Sequence, residues 1–366
     1  MNGLALHDFH ARRGAVFAEV NGAEVVAHHG DALAEHAALR AAAAVLDLSC
    51  RGRLGLTGAD RQRLLNGQVT NNVAALRPGD GCYAAFCSAK GKMQADANIL
   101  CLPGEFLLDL EPGTSATVAQ RLEQYIIADD VQVTDAAPLC GLLSVQGPKS
   151  REVIARLGLG VALPSAPLGS ASAHDSALGE IHCVNHSRVG LEGFDLFVPR
   201  RSLEAAAERL LQSVAAVGGR FGGWQALEIA RIEAGIPRFG QDMDDTNLPP
   251  ECGLEARAIS YTKGCYIGQE VIARLKSIGQ VTKTLCGLKL DKDLKFTPRR
   301  ADRLYRGDRE IGYVTSFLVS PTLNANVALA YVRREHGQLG IGLVLRAADG
   351  ACTALVVALP FRADPA

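Results

Sequence analysis

The chain reads Lys263-Gly264-Cys265-Tyr266-Ile267-Gly268-Gln269-Glu270 near its three-quarter point, and an amphipathic run follows at once. The two glycines of this segment let the backbone turn tightly on either side of the cysteine. A helix is expected to begin directly after the segment, and both a helix N-terminus and neighbouring cations favour thiolate over thiol. Cys265 is therefore our candidate functional thiol. The alternative is that it fills a gap in the core, as free cysteines usually do.

The composition is typical of a soluble globular protein with more than one compact unit. The chain has 366 residues, of which 48% are hydrophobic and 21% charged. Because a single core rarely extends over so many residues, two or three structural units are expected. The formal net charge is -1, so no global field favours nucleic acid or an anionic membrane. We expect no direct nucleic acid binding, although a local basic groove stays possible.

The cysteines and the first residues of the chain indicate the cellular compartment of the protein. Charged residues interrupt the first thirty positions, which therefore lack the apolar core of a secretion signal. We expect neither export nor a membrane span. The ten cysteines are scattered without a CxxC pair, which fits reduced thiols in the cytoplasm better than disulfides. The spacing closest to a metal motif, His182 to His186, lacks the glutamate of a metalloprotease helix and alternates like a strand, so no metal site is predicted.

Helical and strand patterns mix in the first three quarters without strict alternation, which predicts α+β lobes. Helices are expected at 33–46, 58–66, 114–127, 203–217 and 224–234, and strands at 51–56, 83–87, 95–102, 131–134, 142–145 and 193–198. After Gly279 the pattern changes to short strands at 281–290, 311–319, 326–332 and 352–359, which predict a small β-barrel or sandwich. We therefore divide the chain into an α+β region, residues 1–278, and a C-terminal β-barrel, residues 279–362.

Four segments carry a resemblance to a known family. They read Leu65-Asn66-Gly67-Gln68-Val69-Thr70-Asn71-Asn72-Val73, Cys87-Ser88-Ala89-Lys90-Gly91-Lys92-Met93, Arg231-Ile232-Glu233-Ala234-Gly235-Ile236-Pro237 and the Lys263–Glu270 segment quoted above. Their order resembles that of the folate-binding YgfZ proteins, which are relatives of the aminomethyltransferase, or T-protein, of the glycine cleavage system. The resemblance spans residues 40–335, and the last segment is specific to the YgfZ branch.

The resemblance implies a fold, a cofactor and a role. The expected fold is a two-lobed, T-protein-like folate-binding region plus a C-terminal barrel, with a central tetrahydrofolate pocket. The expected role is the maintenance or assembly of iron–sulfur enzymes, including those that modify tRNA. The expected partners are folate and iron–sulfur client or assembly proteins.

The resemblance also implies which residues hold the folate. Glu233 occupies the position of the pterin-binding carboxylate, and a carboxylate that faces a pterin edge makes a paired, charge-assisted hydrogen bond. Folate's own carboxylates need basic partners, for which Arg274 and Lys276 are candidates. Taken singly, such charges are more often solvated surface groups. Lys90 and Lys92 are weaker candidates. The remaining predicted contacts are Arg231, Lys263, Asn66 and Gln68. For the amide side chains of Asn66 and Gln68, helix capping or turn formation is an equally good explanation.

One departure from the transferases bears on activity. They carry Gly-Gly-hydrophobic-x-Asp-Asp where this chain reads Gly91-Lys92-Met93-Gln94-Ala95-Asp96, so one of the paired carboxylates has become Ala95. Loss of a placed acid–base group typically removes about 10²–10⁴-fold in rate. A shift of the alignment by one residue would instead leave Asp96 as the catalytic carboxylate.

We therefore expect a folate-binding factor without glycine-cleavage activity. The first alternative is a tetrahydrofolate-dependent aminomethyltransferase or demethylase. The second is a scaffold that binds partner proteins through the barrel and ignores folate.

Overall fold

The computed structural model describes residues 3–277 and 279–362. The chain forms two compact units and passes between them several times. The first unit comprises residues 3–86, 95–228 and 257–267, and the second comprises residues 87–94, 229–256 and the described residues from 268 onward. The boundary at residue 278 stays a prediction, since the second unit draws on segments from both sides of it.

The first unit is built on two sheets and a hairpin. The strands in chain order are β1 Val16–Val20, β2 Ala23–His28, β3 Ala44–Asp47, β4 Gly52–Thr57, β5 Gly81–Cys87, β6 Met93–Leu102, β7 Glu105–Leu110, β8 Gln132–Asp135, β9 Cys140–Gln146, β10 Ser170–Asp175, β11 Gly179–Asn185, β12 Gly193–Pro199 and β13 Arg220–Gly222. Strands β1 and β2 form the hairpin. One sheet has the order β10-β11-β12-β9-β3-β13 and the other β5-β6-β7-β4-β8. Antiparallel pairing predominates, but β13 runs parallel to β3.

Each of these sheets has its own core. The helices are α1 His7–Ala11, α2 Ala32–Ala41, α3 Arg61–Gln68, α4 Ser115–Gln124, α5 Ser150–Arg156, α6 Leu203–Ala215, α7 Trp224–Glu233, α8 Glu255–Ala258 and α9 Gln269–Ser277. Apolar residues of α5 and α6 pack on the six-stranded sheet, with Val153 and Leu210 fully buried. Apolar residues of α3 and α4 pack on the five-stranded sheet, with Leu65 and Leu122 fully buried. No helix among the described residues is long and apolar enough to span a membrane.

The second unit contains a closed barrel. Its strands are β14 Lys283–Leu290, β15 Arg303–Arg306, β16 Arg309–Ser320, β17 Ala325–Arg333, β18 Gly342–Ala347 and β19 Gly350–Val357. They follow one another around the barrel as β14-β17-β16-β15-β18-β19, and β19 pairs with β14 to close it. Small and branched side chains fill the interior, among them Leu288, Val314 and Ala330. The predicted architecture of α+β lobes followed by a β-barrel is therefore confirmed.

One error in the predicted elements lies in the alanine-rich segment after residue 32. The sequence predicts one helix over 33–46, but α2 ends at Ala41 and residues 44–47 form β3, between β9 and β13. The alanines favour a helix by intrinsic propensity. Burial overrides that preference, because Ala43 and Val45 pack in the core of the six-stranded sheet.

Candidate functional site

Strand β6 separates the apolar core of the five-stranded sheet from a polar face. Ala95, Ala97 and Ile99 lie in the hydrophobic core. Asp96 and Asn98 project to the other side, because successive side chains of a strand point in opposite directions, and both make polar contacts there. The polar face of this sheet holds several buried charged groups, among them Asp96, Asp109 and Arg51.

Asp109 on β7 is the centre of the polar face. Arg51 Nε donates to Asp109 Oδ1 over 2.6 Å, and the same guanidinium donates to Glu111. Asn98 Nδ2 and Arg188 Nη2 donate to Asp109 Oδ2 over 2.9 and 2.8 Å. Burial alone would raise the pKa of Asp109, but Arg51 and Arg188 outweigh it and hold that pKa well below its usual range. Asp109 is therefore a fixed negative charge between two arginines.

Arg188 also binds Asp195 on β12, in the six-stranded sheet. Its Nη2 lies 2.6 Å from Asp195 Oδ2, and His186 Nδ1 lies 2.8 Å from the same oxygen. Burial would raise the pKa of Asp195, yet Arg188 and His186 lower it to about 2. Ligand atoms of Asp109, His186 and Asp195 lie within 4.8 Å of one another, as in a metal site. The guanidinium of Arg188 already supplies the positive charge there, so we assign this cluster to an ion-pair network.

Asp96 differs from these paired carboxylates. Tyr83 Oη donates to Asp96 Oδ2 over 2.7 Å, and Asp96 has no other hydrogen-bond donor among the described residues. Burial raises the pKa of Asp96 to about 6, and the charge of Glu111 adds to the increase, while Tyr83 and Arg51 oppose it. Asp96 can therefore exchange a proton near neutral pH and can accept a hydrogen bond from a ligand through Oδ1.

The position of Ala95 corrects one step of the sequence interpretation. The substitution of a carboxylate by Ala95 suggested that a catalytic group is missing. Ala95 is buried in the apolar core on the face opposite Asp96, and a carboxylate there would be desolvated without a partner. Ala95 therefore removes no group from the polar face, and Asp96 is the carboxylate that faces the network.

The segment Lys263–Ile267 is attached to the C-terminal end of α3. Lys263 Nζ donates to the backbone carbonyls of Asn66, Val69 and Asn71 over 2.5, 2.7 and 2.7 Å, and the amide of Ile267 donates to the carbonyl of Gly67. Burial lowers the pKa of Lys263 to about 8. Because an ammonium has three protons and all three are used, Lys263 is a structural clamp. Its assignment as a folate contact stays a prediction.

Cys265 is the exposed cysteine among the ten, all of which lie in the described part of the chain. A side-chain atom added at the adjacent Gly264 would meet nothing within 4 Å, so the backbone beside the thiol is also open. The gap-filling role for Cys265 is thereby excluded. Burial raises the pKa of the thiols of Cys50, Cys82, Cys101, Cys140, Cys183, Cys252, Cys286 and Cys352.

Glu233 and Arg231, at the end of α7, both have partners in the second unit. Glu233 accepts hydrogen bonds from Ser320 Oγ at one carboxylate oxygen and from Thr322 Oγ1, over 2.9 Å, at the other. Arg231 donates to Asp242 and to Ser316 Oγ. Both side chains are at least 95% buried. They join α7 to the barrel, and their assignment to folate stays a prediction.

The other predicted folate contacts divide between buried and exposed positions. Asn66 Oδ1 caps the amide of Ala74, and Gln68 Oε1 accepts a hydrogen bond from Arg121 over 3.2 Å. Both amides therefore have local structural roles. Arg274 and Lys276, on α9, lie at the surface in ion pairs with Glu270 and Glu255. Exposed ion pairs of this kind exchange partners at little cost, so both cations stay available to an anionic ligand.

The sequence interpretation missed the polar network itself. Tyr83, Arg51, Asp109, Arg188 and Asp195 were not singled out as site residues. A signal was present, because Asp109 and Asp195 each lie between apolar neighbours in a strand, where a carboxylate needs a partner. The identity of the partners was not readable, since Arg188 and Asp109 are far apart in the chain.

Comparisons with known proteins agree with this fold. The sequence matches the GCVT N-terminal domain over residues 6–263 and the glycine cleavage T-protein C-terminal barrel domain over residues 283–362. The aminomethyltransferase of Saccharopolyspora erythraea is 29% identical over 97% of this chain and 96% of its own. That of Halalkalibacterium halodurans is 30% identical over 89% and 88%. The crystal structure of the glycine cleavage system aminomethyltransferase T from Bartonella henselae superposes with a TM-score of 0.88 at 22% identity, covering 99% of this chain and 98% of that one.

The fold is thus that of the aminomethyltransferase superfamily. The domain matches extend over most of the chain, and the chain belongs to the glycine cleavage T-protein family.

Proposed function

We propose that this protein binds tetrahydrofolate, belongs to the YgfZ branch of its family, and supports the assembly or repair of iron–sulfur enzymes, tRNA-modifying enzymes among them, without cleaving glycine. The observation that carries the proposal is the exposure of Cys265 on a segment clamped to α3 by Lys263. A thiolate is a soft ligand for iron and a partner for thiol–disulfide exchange. A fixed, exposed thiol suits both tasks.

The proposed cofactor needs a carboxylate for its pterin edge. Asp96 meets this need because one of its oxygens has no donor among the described residues. Glu233, the residue predicted from the sequence, is less suited because both its oxygens accept hydrogen bonds from the barrel. For the carboxylates of folate, Arg274 and Lys276 stay the candidates predicted from the sequence.

Reduced thiols support a cytoplasmic location. The ten cysteines, all within the described residues, form no disulfide, which suits a reducing compartment. The same free thiols are compatible with iron–sulfur client or assembly proteins as partners, since those proteins also need a reducing environment.

A tetrahydrofolate-dependent aminomethyltransferase or demethylase is the second candidate. Asp96 favours it, because a carboxyl group with a pKa of about 6 can act as an acid or a base near neutral pH. The relatives described above are also named aminomethyltransferases. The two candidates differ in whether folate bound at the polar face also reacts there.

An assay of purified protein separates the two candidates. Tetrahydrofolate is titrated by calorimetry, and the protein is then incubated with tetrahydrofolate and an aminomethylated carrier protein or an N-methyl donor. The proposal expects binding without methylene-tetrahydrofolate. Asp96→Asn should weaken binding, whereas Glu233→Gln should bind normally but melt at a lower temperature. Product formation that Asp96→Asn abolishes would establish the second candidate, and absence of folate binding would overturn both.

A further inference from the structure

The near-zero net charge conceals an unequal distribution along the chain. Residues 279–362, which contain the barrel, hold 13 Lys and Arg against 7 Asp and Glu. Residues 1–278 hold 25 Lys and Arg against 31 Asp and Glu. The barrel segment is therefore strongly basic and the rest of the chain acidic, and such asymmetry is typical of proteins that bind a polyanion.

The basic residues of the barrel are paired with one another across neighbouring strands. The register places Lys283 opposite Arg333, Arg306 opposite Arg309 and Arg303 opposite Arg346. Like charges directly opposite each other destabilise a sheet. Three such pairs on one barrel oppose its stability, and a bound polyanion would offset the repulsion.

Together with Arg334, which follows Arg333 in the chain, these pairs form a surface that we call the arginine face. It consists of Lys283, Arg303, Arg306, Arg309, Arg333, Arg334 and Arg346, whose arginines are all exposed. Three exposed acids neutralise part of it: Glu310 pairs with Arg303, Glu335 with Arg309 and Asp308 with Arg346, over 3.3, 3.2 and 3.9 Å. Seven cations against three carboxylates leave a clear positive excess.

Several cations of the arginine face have no acidic partner in the described part of the chain. No carboxylate lies within 4 Å of Lys283, Arg306, Arg333 or Arg334. Arg306 Nη1 lies 3.1 Å from His336 Nδ1, but the imidazole ring of His336 carries no negative charge. These positions mark where external anions would bind first.

Tyrosines alternate with the cations. The guanidinium of Arg346 lies 4.2 Å from the ring centre of Tyr305, and that of Arg303 lies 5.9 Å from the ring centre of Tyr313. Lys283 Nζ lies 3.0 Å from the hydroxyl of Tyr313. Planar guanidinium groups held against aromatic rings bind phosphate bidentately and offer flat surfaces on which bases can stack.

We propose that the arginine face binds single-stranded nucleic acid. Phosphates would offset the three repulsive pairs, and the tyrosines and arginines would stack with bases. An acidic protein segment would satisfy the charge but would make no use of the planar groups. The low net charge of the whole chain, which predicts no nucleic acid binding, therefore does not describe the barrel.

Fluorescence anisotropy with a labelled RNA of about 20 nucleotides tests this proposal on the full-length protein. We expect binding whose affinity falls between about 50 and 200 mM salt, with a slope of about -0.7 per phosphate contact. Arg306→Glu/Arg333→Glu should weaken binding by about tenfold or more and reduce the slope. The matched control is Arg151→Glu/Arg156→Glu, which changes net charge equally at two exposed arginines outside the barrel.

Three results would overturn the proposal. They are no RNA binding at low salt, equal weakening by the control variant, and equally tight binding of labelled polyglutamate or of anionic lipid vesicles. A measurement of thermal stability shows whether a loss of RNA affinity results from misfolding of the variant. Arg306→Gln/Arg333→Gln should melt at or above the temperature of the wild type, because it removes two repulsive pairs, and should also lose RNA affinity.

Discussion

Asp96 and Ala95 are neighbours in β6 with opposite environments. Asp96 lies in a charged network and Ala95 in an apolar core, because the strand reverses side-chain direction at each residue. A sequence comparison that is uncertain by one residue cannot distinguish the two environments. Of these two residues, only Asp96 could take part in proton transfer at the polar face.

Asp96 should destabilise the protein at neutral pH. Its pKa of about 6 in the folded state exceeds the ordinary value of 3.8, so the folded protein holds the proton that the unfolded chain has lost. Stability should fall as the pH rises through this window, by about 2–3 kcal/mol for this group. Asp96→Asn should thus raise the melting temperature above pH 6 and have little effect near pH 4.

Calorimetric melting curves across this pH range check the prediction. Asp245→Asn, at an exposed carboxylate, is the control and should show no such pH-dependent gain. A stabilisation by Asp96→Asn that is equal at both ends of the range would contradict the assigned protonation of Asp96.

Cys265 should be alkylated first. Its side chain is exposed, whereas burial raises the pKa of eight other thiols, with values of about 12 for Cys50, Cys82 and Cys252. Because the thiolate is the reactive form, Cys265 should react with iodoacetamide about tenfold or more faster near neutral pH. Peptide mapping after short labelling pulses measures the order. Faster labelling of any other cysteine would contradict the exposure assigned to Cys265, and labelling in denaturant should abolish the difference.

At the scale of elements, the glycines that flank the thiol have different roles. Gly268 has a φ of +87°, and a Cβ there would lie 2.5 Å from the carbonyl oxygen of Ser88. Gly264 has open space around it. The sequence predicted a tight turn at both, but only Gly268 combines a left-handed backbone with a close approach.

Gly268→Ala should therefore destabilise the protein more than Gly264→Ala. The left-handed conformation alone costs a residue with a side chain about 1–2 kcal/mol, and the clash with Ser88 adds to it. Gly264→Ala is the matched control and should change stability little. Urea unfolding of both variants measures the difference, and equal stabilities would show that the turn at Gly268 relaxes freely.

Most elements were predictable because their patterns are local. The strands at 83–87 and 95–102 and the helix that follows Gly268 are found within a few residues of their predicted positions. Strand β3 was not, because its alanines carry a helical preference that only tertiary burial overrides. The clamp by Lys263 was also unreadable, since its acceptors are backbone carbonyls of a segment almost two hundred residues away.

At the scale of the whole molecule, the order of four short segments predicted the α+β and barrel architecture. What the sequence did not reveal were two arrangements that depend on register. The ion-pair network needs β6 beside β7 in one sheet and the side chain of Arg188 between Asp109 of that sheet and Asp195 of the other. The arginine face needs barrel strands paired so that like charges meet. Composition averages over such arrangements, which is why a net charge near zero concealed a basic barrel.

We propose that Cys265 supports iron–sulfur enzymes while folate binds elsewhere in the protein. The test uses cells from which the native copy of this protein has been deleted. The wild type, Cys265→Ser or the half-buried control Cys140→Ser is expressed in them at equal levels, and the activity of an iron–sulfur enzyme is measured. The wild type and Cys140→Ser should restore the activity. Cys265→Ser should fail to restore it, although the purified variant binds tetrahydrofolate as tightly as the wild type. Full restoration by Cys265→Ser would show that the thiol of Cys265 is not needed for the activity of iron–sulfur enzymes.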